Sequence, residues 1–293
     1  MPLLSKKSPA AFGLLLCLAA LYRCATLPGS GWDHLLVPLA MLSLLILALL
    51  LLKRAGFSEN ALAAALFPLG LAFFLRAFLM PCVTSDYQNF LSHWVEYFRQ
   101  NGGFLALKDP VGNYNVPYLY MLAALSCLPL NDLYGIKLFS ILFDVLLAWG
   151  GLRLARTRTA DRSVWLITFF SLLLLPTVVL NGACWGQCDS VWAALCLHAL
   201  ACALEDKPVP SLVLLALAFS FKLQAVFLVP FLLILFPSGP PSGLLESSGP
   251  MSFSLSLLPS FSPSPPRSCW ANLWGLSSPS ILSRRETVWP GRR

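Results

Sequence analysis

The sequence predicts an all-α polytopic membrane protein of about 7 transmembrane helices, with exoplasmic juxtamembrane helices and a disordered C-terminal tail. Composition is the first reason: 57% of the 293 residues are hydrophobic and 11% charged, with a mean hydropathy of +0.73. Soluble domains carry about 25% charged residues, so much of this surface must face something other than water. Run length is the second: the segment 34–52, with its unbroken run Leu42 to Leu52, and Leu212 to Phe236 approach or exceed the roughly 20 apolar residues a spanning helix needs. Charge placement is the third. Lys and Arg sit at the ends of apolar segments and not in a patch interleaved with aromatics, so the net charge of +7 reports orientation and not a nucleic-acid partner.

Apolar segments fall at 10–27, 34–52, 61–81, 133–152, 163–180, 189–204 and 210–236, with a shorter one from Pro117 to Leu130. Helix is the state expected for each, because an open strand in hydrocarbon leaves backbone groups unpaired. Lys6 and Lys7 before the run Ala10 to Tyr22 resemble a signal peptide, but no small-residue cleavage site follows, so an uncleaved first span is expected. Lys6, Lys7, Lys53 and Arg54 place the N-terminus and the second loop on the cytoplasmic side. If Pro117 to Leu130 spanned, Arg153, Arg156, Arg158 and Arg162 would lie outside. That segment is also short for a span, at about 14 residues. It therefore reads as a juxtamembrane helix, and residues 82–131 become one exoplasmic segment.

Within that segment, Asp86 to Gln100 places Phe90, Leu91, Trp94, Val95 and Phe98 at helical spacing, ending at Asn101-Gly102-Gly103 as a C-cap. It reads as an amphipathic helix in the interface. Residues 1–236 form the membrane domain. The character changes at Pro237: residues 237–293 contain 15 Ser and 10 Pro and no Lys, Asp or Tyr. Such a composition reads as disordered, or as a shifted reading frame.

Ionisable groups in or beside a bilayer are costly and ask for a reason. Asp86 follows the third span; Ser85 or Asp86 suits a helix N-cap, and Asp86 equally suits a general base at the membrane surface. Asn115, in Asn113-Tyr114-Asn115, belongs to a turn whose amides can meet sugar hydroxyls. Asp144 lies mid-helix and needs a partner, either Lys137 or a group on another span. Trp185, Gln187 and Asp189 interrupt two apolar runs with an aromatic face, an amide and a carboxylate, a set suited to a sugar or to a plain loop. Cys184 and Cys188 are open to a disulfide or to two thiols; the other cysteines read as small buried residues. Lys222 and Gln224 break an apolar stretch; Lys222 can snorkel or neutralise a lipid phosphate. There is no CxxC, Walker or GxGxxG motif and no DxD pair. Asp86 has no evident second ligand, so no metal site or cofactor is assigned and a divalent cation has no support.

Taken together, Ser85-Asp86 with His93-Trp94, Asn115-Val116-Pro117-Tyr118-Leu119-Tyr120, Lys137-Leu138 with Phe143-Asp144, Trp185-Gly186-Gln187 with Asp189, and Phe221-Lys222-Leu223-Gln224 before Pro230 resemble the GT-C membrane glycosyltransferases. More narrowly they are similar to bacterial relatives of the GPI mannosyltransferase that adds the second mannose. The resemblance covers about residues 60–236. It implies an inverting transfer of mannose from a polyprenyl-phosphate donor to an exoplasmic glycan or lipid acceptor, in a bacterial plasma membrane. Asp86 matches the acidic residue essential for catalysis in the family, Lys222 is the candidate for the donor phosphate, and His93, Trp94, Asn115, Trp185, Gln187, Asp189 and Gln224 are candidates for substrate or donor binding. Two departures stand out. The spans before residue 60 are extra, and the Ser/Pro tail replaces later spans, which implies a truncated enzyme short of full activity. The competing readings are a transporter or lipid flippase, against which no internal repeat is found, and an inactive fragment.

Overall fold

A computed structural model describes residues 8–238, which are helix, turn and loop with no strand among them. The chain opens with α1 (Ser8–Ala25), α2 (Gly31–Arg54) and α3 (Glu59–Leu79). Helices α1 and α3 approach closely at glycines: a Cβ on Gly70 would stand 2.5 Å from the Gly13 carbonyl oxygen, so only Gly lets the two backbones touch. Short α4 (Ser92–Gln100) and α5 (Val116–Ser126) come after them, then the long α6 (Asp132–Arg156). Next come α7 (Arg162–Leu174), the single turn α8 (Pro176–Val179), α9 (Asp189–Leu204), α10 (Pro208–Phe221) and α11 (Val229–Ser238).

Three of these, α2, α3 and α6, are long and apolar enough to cross a membrane, and Arg162–Leu174 with Pro176–Cys184, bent by 45°, is a fourth if counted as one broken span. Helices α9 and α10 are apolar but shorter, at 16 and 14 residues. The outer faces carry exposed Leu14, Leu15, Leu18, Leu35, Leu39 and Ile167. An apolar belt of this kind is what a hydrocarbon-facing surface needs.

One expectation is corrected here. Leu212 to Phe236 does not form one span. Lys222 adopts an extended conformation (φ −146°, ψ 133°), and Leu223–Leu228 continues as a 3-10 turn. The physical reason lies on another segment: Lys222 leaves the helix and pairs with Asp189 at the start of α9. Helix α11 passes the expected break at Pro237, and the rest of the Ser/Pro-rich tail, 239–293, lies outside the described residues.

Helix direction comes from polar ties. Asp33 closes a capping box with Ser30 at the start of α2, and its second oxygen accepts the Asn131 N–H at 2.7 Å, at the start of α6. The Tyr134 hydroxyl donates to the Pro28 carbonyl at 2.6 Å. Helices α2 and α6 therefore start side by side and run the same way, with α3 opposed. One end of the bundle gathers the 82–131 segment, the Asn181–Asp189 loop and the Lys222 break. The other gathers the turns after Arg54, Arg156 and Leu204, where Arg162 donates to the Gly56 carbonyl at 2.7 Å.

Candidate functional site

Helix α6 is the post on which the site is hung. Lys137, fully buried, donates to the carbonyls of Leu79 (3.2 Å), Met80 (2.9 Å) and Cys82 (2.6 Å). An ammonium there takes up the unpaired carbonyls of the α3 C-terminus and the negative end of its dipole. The turn leading to Asp86 is fixed in this way. One turn along, the Ser140 hydroxyl donates to the Gln187 carbonyl at 2.9 Å, fixing the opposite arm. Asp144 completes the row, and of its two expected partners the structure shows the group on another span: Arg76 on α3, not Lys137. Arg76 donates to Asp144 Oδ2 from Nε (3.1 Å) and Nη2 (2.9 Å), and to the Leu173 carbonyl at 2.9 Å. Ser190 donates to the other carboxylate oxygen. Both members of the ion pair are fully buried.

On this frame stand two arms. Asp86 begins the helix that carries α4, at a π-helical turn, Tyr87–Leu91. The cap reading for Ser85 or Asp86 does not hold: Asp86 makes no capping bond, and the Tyr87 N–H meets Thr84 Oγ1 instead, at 3.5 Å. Freed from capping, the exposed Asp86 carboxylate accepts a hydrogen bond from Gln187 Nε2 at 2.7 Å. Tyr114 in turn donates to Gln187 Oε1 at 3.0 Å, which sets the direction of the amide. Burial, with Cys188, Asp189 and Asp86 nearby, pushes the Tyr114 hydroxyl up to about 12, so it remains a donor. Another π-helical turn, Leu180–Cys184, leads into the Gln187 arm. Such turns add a residue to the helix and re-aim the chain beyond them.

Two adjoining cavities result. The smaller, about 180 Å3, is lined by Asp86, Phe90, Leu91, Trp94, Asn113, Tyr114 and Gln187. The larger, about 600 Å3, is lined by Asn115, Phe221, Lys222, Leu223, Gln224 and Phe227 and shares the Asn113–Tyr114 wall with the first. Lys222 is ion-paired with Asp189, whose other oxygen accepts from Asn181 at 3.0 Å. Asn115 donates to the Phe221 carbonyl at 3.3 Å and so holds the end of α10 where Lys222 departs.

Of the sequence candidates, Asp86, Trp94 and Gln187 meet in the first cavity, and Asn115, Lys222 and Gln224 in the second, with Asp189 behind Lys222. His93 lies on the exposed side of α4 and Trp185 is 55% exposed; neither lines either of these two cavities. Cys184 and Cys188 are two free thiols. Sequence reasoning missed Arg76, although a lone arginine in an apolar run carries the same signal that singled out Asp144. It also passed over Tyr114, Ser140 and Ser190, which no spacing betrays. Among the described residues, no group of three or more His, Cys, Asp or Glu is placed to hold a metal ion. Compared with family models, curated proteins and solved structures, the chain finds no significant match.

Proposed function

We propose that the chain is a multi-pass membrane glycosyltransferase, built on about 7 spans, that moves a sugar from a polyprenyl-phosphate donor to a hydroxyl acceptor at the exoplasmic face. The observation that carries this reading is the pair of adjoining cavities: one holds an oriented, exposed carboxylate, the other a lysine at the rim of an apolar stretch, and Asn113 and Tyr114 belong to both. A general base and a phosphate counter-charge are the two groups such a transfer needs. Asp86 takes the proton of the acceptor hydroxyl as its oxygen attacks the anomeric carbon. The bond from that carbon to the phosphate oxygen breaks, and the electron pair leaves with polyprenyl phosphate. Lys222 offsets the charge that develops there. Gln187, held by Tyr114, keeps Asp86 aimed. Mannose as the sugar, and kinship with bacterial GT-C mannosyltransferases, rest on the sequence blocks around these residues.

The ion pair with Asp189 does not oppose this role. The Lys222 and Asp189 side chains are 20% and 44% exposed, and pairs of that kind are worth about 0–1 kcal/mol, so a phosphate can exchange for the carboxylate. In membranes supplied with polyprenyl-phosphomannose, the full chain is expected to release polyprenyl phosphate, and Asp86→Asn to abolish that release with the melting temperature unchanged. Full activity in Asp86→Asn overturns the base; no release by the unaltered chain overturns the transferase.

A further inference from the structure

At the opposite end of the bundle from Asp86, the ends of α2, α6 and α9 enclose a cleft of about 750 Å3. Four cations, Arg54, Arg153, Arg156 and Lys207, face one carboxylate, Glu205. That carboxylate is already committed: Arg153 Nη2 donates to both of its oxygens, at 3.0 and 2.9 Å, and Lys207 reaches Oε2 at 2.8 Å. Among the described residues Arg54 has no carboxylate or carbonyl partner, and the Arg156 guanidinium lies over the Trp165 ring, 5.2 Å from its centroid. Neither arginine caps its own helix. Three helix C-termini converge here, and at roughly half a negative charge each they offset about half of the net positive charge left by four cations and one carboxylate, so a surplus remains that capping does not use.

The cleft has an apolar side as well. Leu51 and Trp149 line it from α2 and α6, two of the three helices of membrane length, and Leu50 and Ile46 continue outward as exposed apolar surface. Guanidinium groups recognise phosphate by paired donors, and a tryptophan at the end of a membrane-length helix suits headgroup depth. We propose that this cleft binds the headgroup of an anionic glycerophospholipid, with Arg54 and Arg156 on the phosphate and the acyl chains along the apolar edge of α2 and α6.

The full chain, purified in phosphatidylcholine mixed micelles, provides the test. Phosphatidylglycerol at saturation is expected to raise the melting temperature by about 5 °C, whereas further phosphatidylcholine or inorganic phosphate leaves it in place. Arg54→Gln with Arg156→Gln is expected to abolish the shift while lowering the lipid-free melting temperature by no more than about 3 °C, the loss of the Arg156–Trp165 contact. Arg23→Gln with Lys108→Gln removes the same charge away from the cleft and is expected to retain it. If the double variant fails to fold, Arg54→Gln alone, at an exposed residue, is read in its place and at least halves the shift. An equal shift with phosphatidylcholine, a shift with inorganic phosphate alone, or an undiminished shift in the cleft variants each overturns the proposal.

Discussion

Two aspartates divide the molecule. Asp144 sits in mid-bundle, fully buried, with Arg76 on one carboxylate oxygen and Ser190 on the other. Asp86 stands at the end of the bundle with, among the described residues, a single neutral partner, the Gln187 amide. A charge taken out of water destabilises the fold unless it is paired and hydrogen-bonded, and Asp144, with three donors on its two oxygens and no exposure, is out of a substrate's reach. A charge left at the rim costs little and stays available. The first carboxylate orders helices; the second is merely aimed. The two are coupled through α6, because Lys137, Ser140 and Asp144 lie along one face of it and hold, in turn, the Asp86 turn, the Gln187 arm and the start of α9.

The difference is most directly broken at Asp144. Asp144→Ala leaves Arg76 buried without a counter-charge and is expected to cost about 3–5 kcal/mol, read from denaturant unfolding in micelles. Arg76→Leu combined with Asp144→Leu is expected to recover most of that loss. Asp86→Asn, by contrast, is expected to leave the unfolding midpoint unchanged. A mild Asp144→Ala would mean that the bundle does not depend on the pair.

Lys137→Met probes the coupling. The three carbonyls at the end of α3 lose their shared donor, at a cost of about 1–3 kcal/mol. Because the Cys82 turn then loosens, the turnover number in the transfer assay is expected to fall about tenfold with the donor KM nearly unchanged, a drop of about 1.4 kcal/mol in transition-state stabilisation. Equal activity in the variant would uncouple the two regions.

Lys222→Gln should act on the other side of the site. It removes the proposed phosphate counter-charge and frees Asp189, but the pair it breaks is partly exposed, so stability changes by about 1 kcal/mol or less. The expected signature is a donor KM raised about tenfold, for the charge the bound phosphate already carries, together with a lowered turnover number, for the charge that develops on it as the bond breaks. An unchanged KM removes Lys222 from donor binding.

Legibility in the sequence tracks this same division. The long apolar runs of α2, α3 and α6 are read directly, since a hydrocarbon environment leaves one structural solution. The helix of Asp86 to Gln100 also ends where expected, with Gly102 at φ 82°. The partners of charged groups are not legible. Asp144 asks for a cation, and nearness in sequence favours Lys137, yet Arg76 lies opposite it across the helix packing. The π-helical turns at Tyr87–Leu91 and Leu180–Cys184 have no sequence signal, and they aim Asp86 and Gln187. Nor does composition warn that Lys222 breaks its helix, because the cause, Asp189, belongs to another segment.

The smallest effect belongs to Glu205, at the far end. Partial burial pushes its carboxyl up, but hydrogen bonds from Lys207 and Arg153 outweigh that and hold it below the ordinary glutamate value of 4.5. A depressed folded-state value gives stability that is fully present above the unfolded-state value and is lost as pH falls through the folded one. Stability should therefore be flat above about pH 5 and decline in more acid solution, with Glu205→Gln losing part of that decline. Because the pair is partly exposed, the difference is expected to be about 0.5 kcal/mol, near the limit of unfolding measurements. A far larger acid dependence removed by Glu205→Gln would place a locked ion pair at this end too. Arg153 and Lys207 would then be fixed as firmly as Arg76, and only Arg54 and Arg156 would be left free to meet an anion.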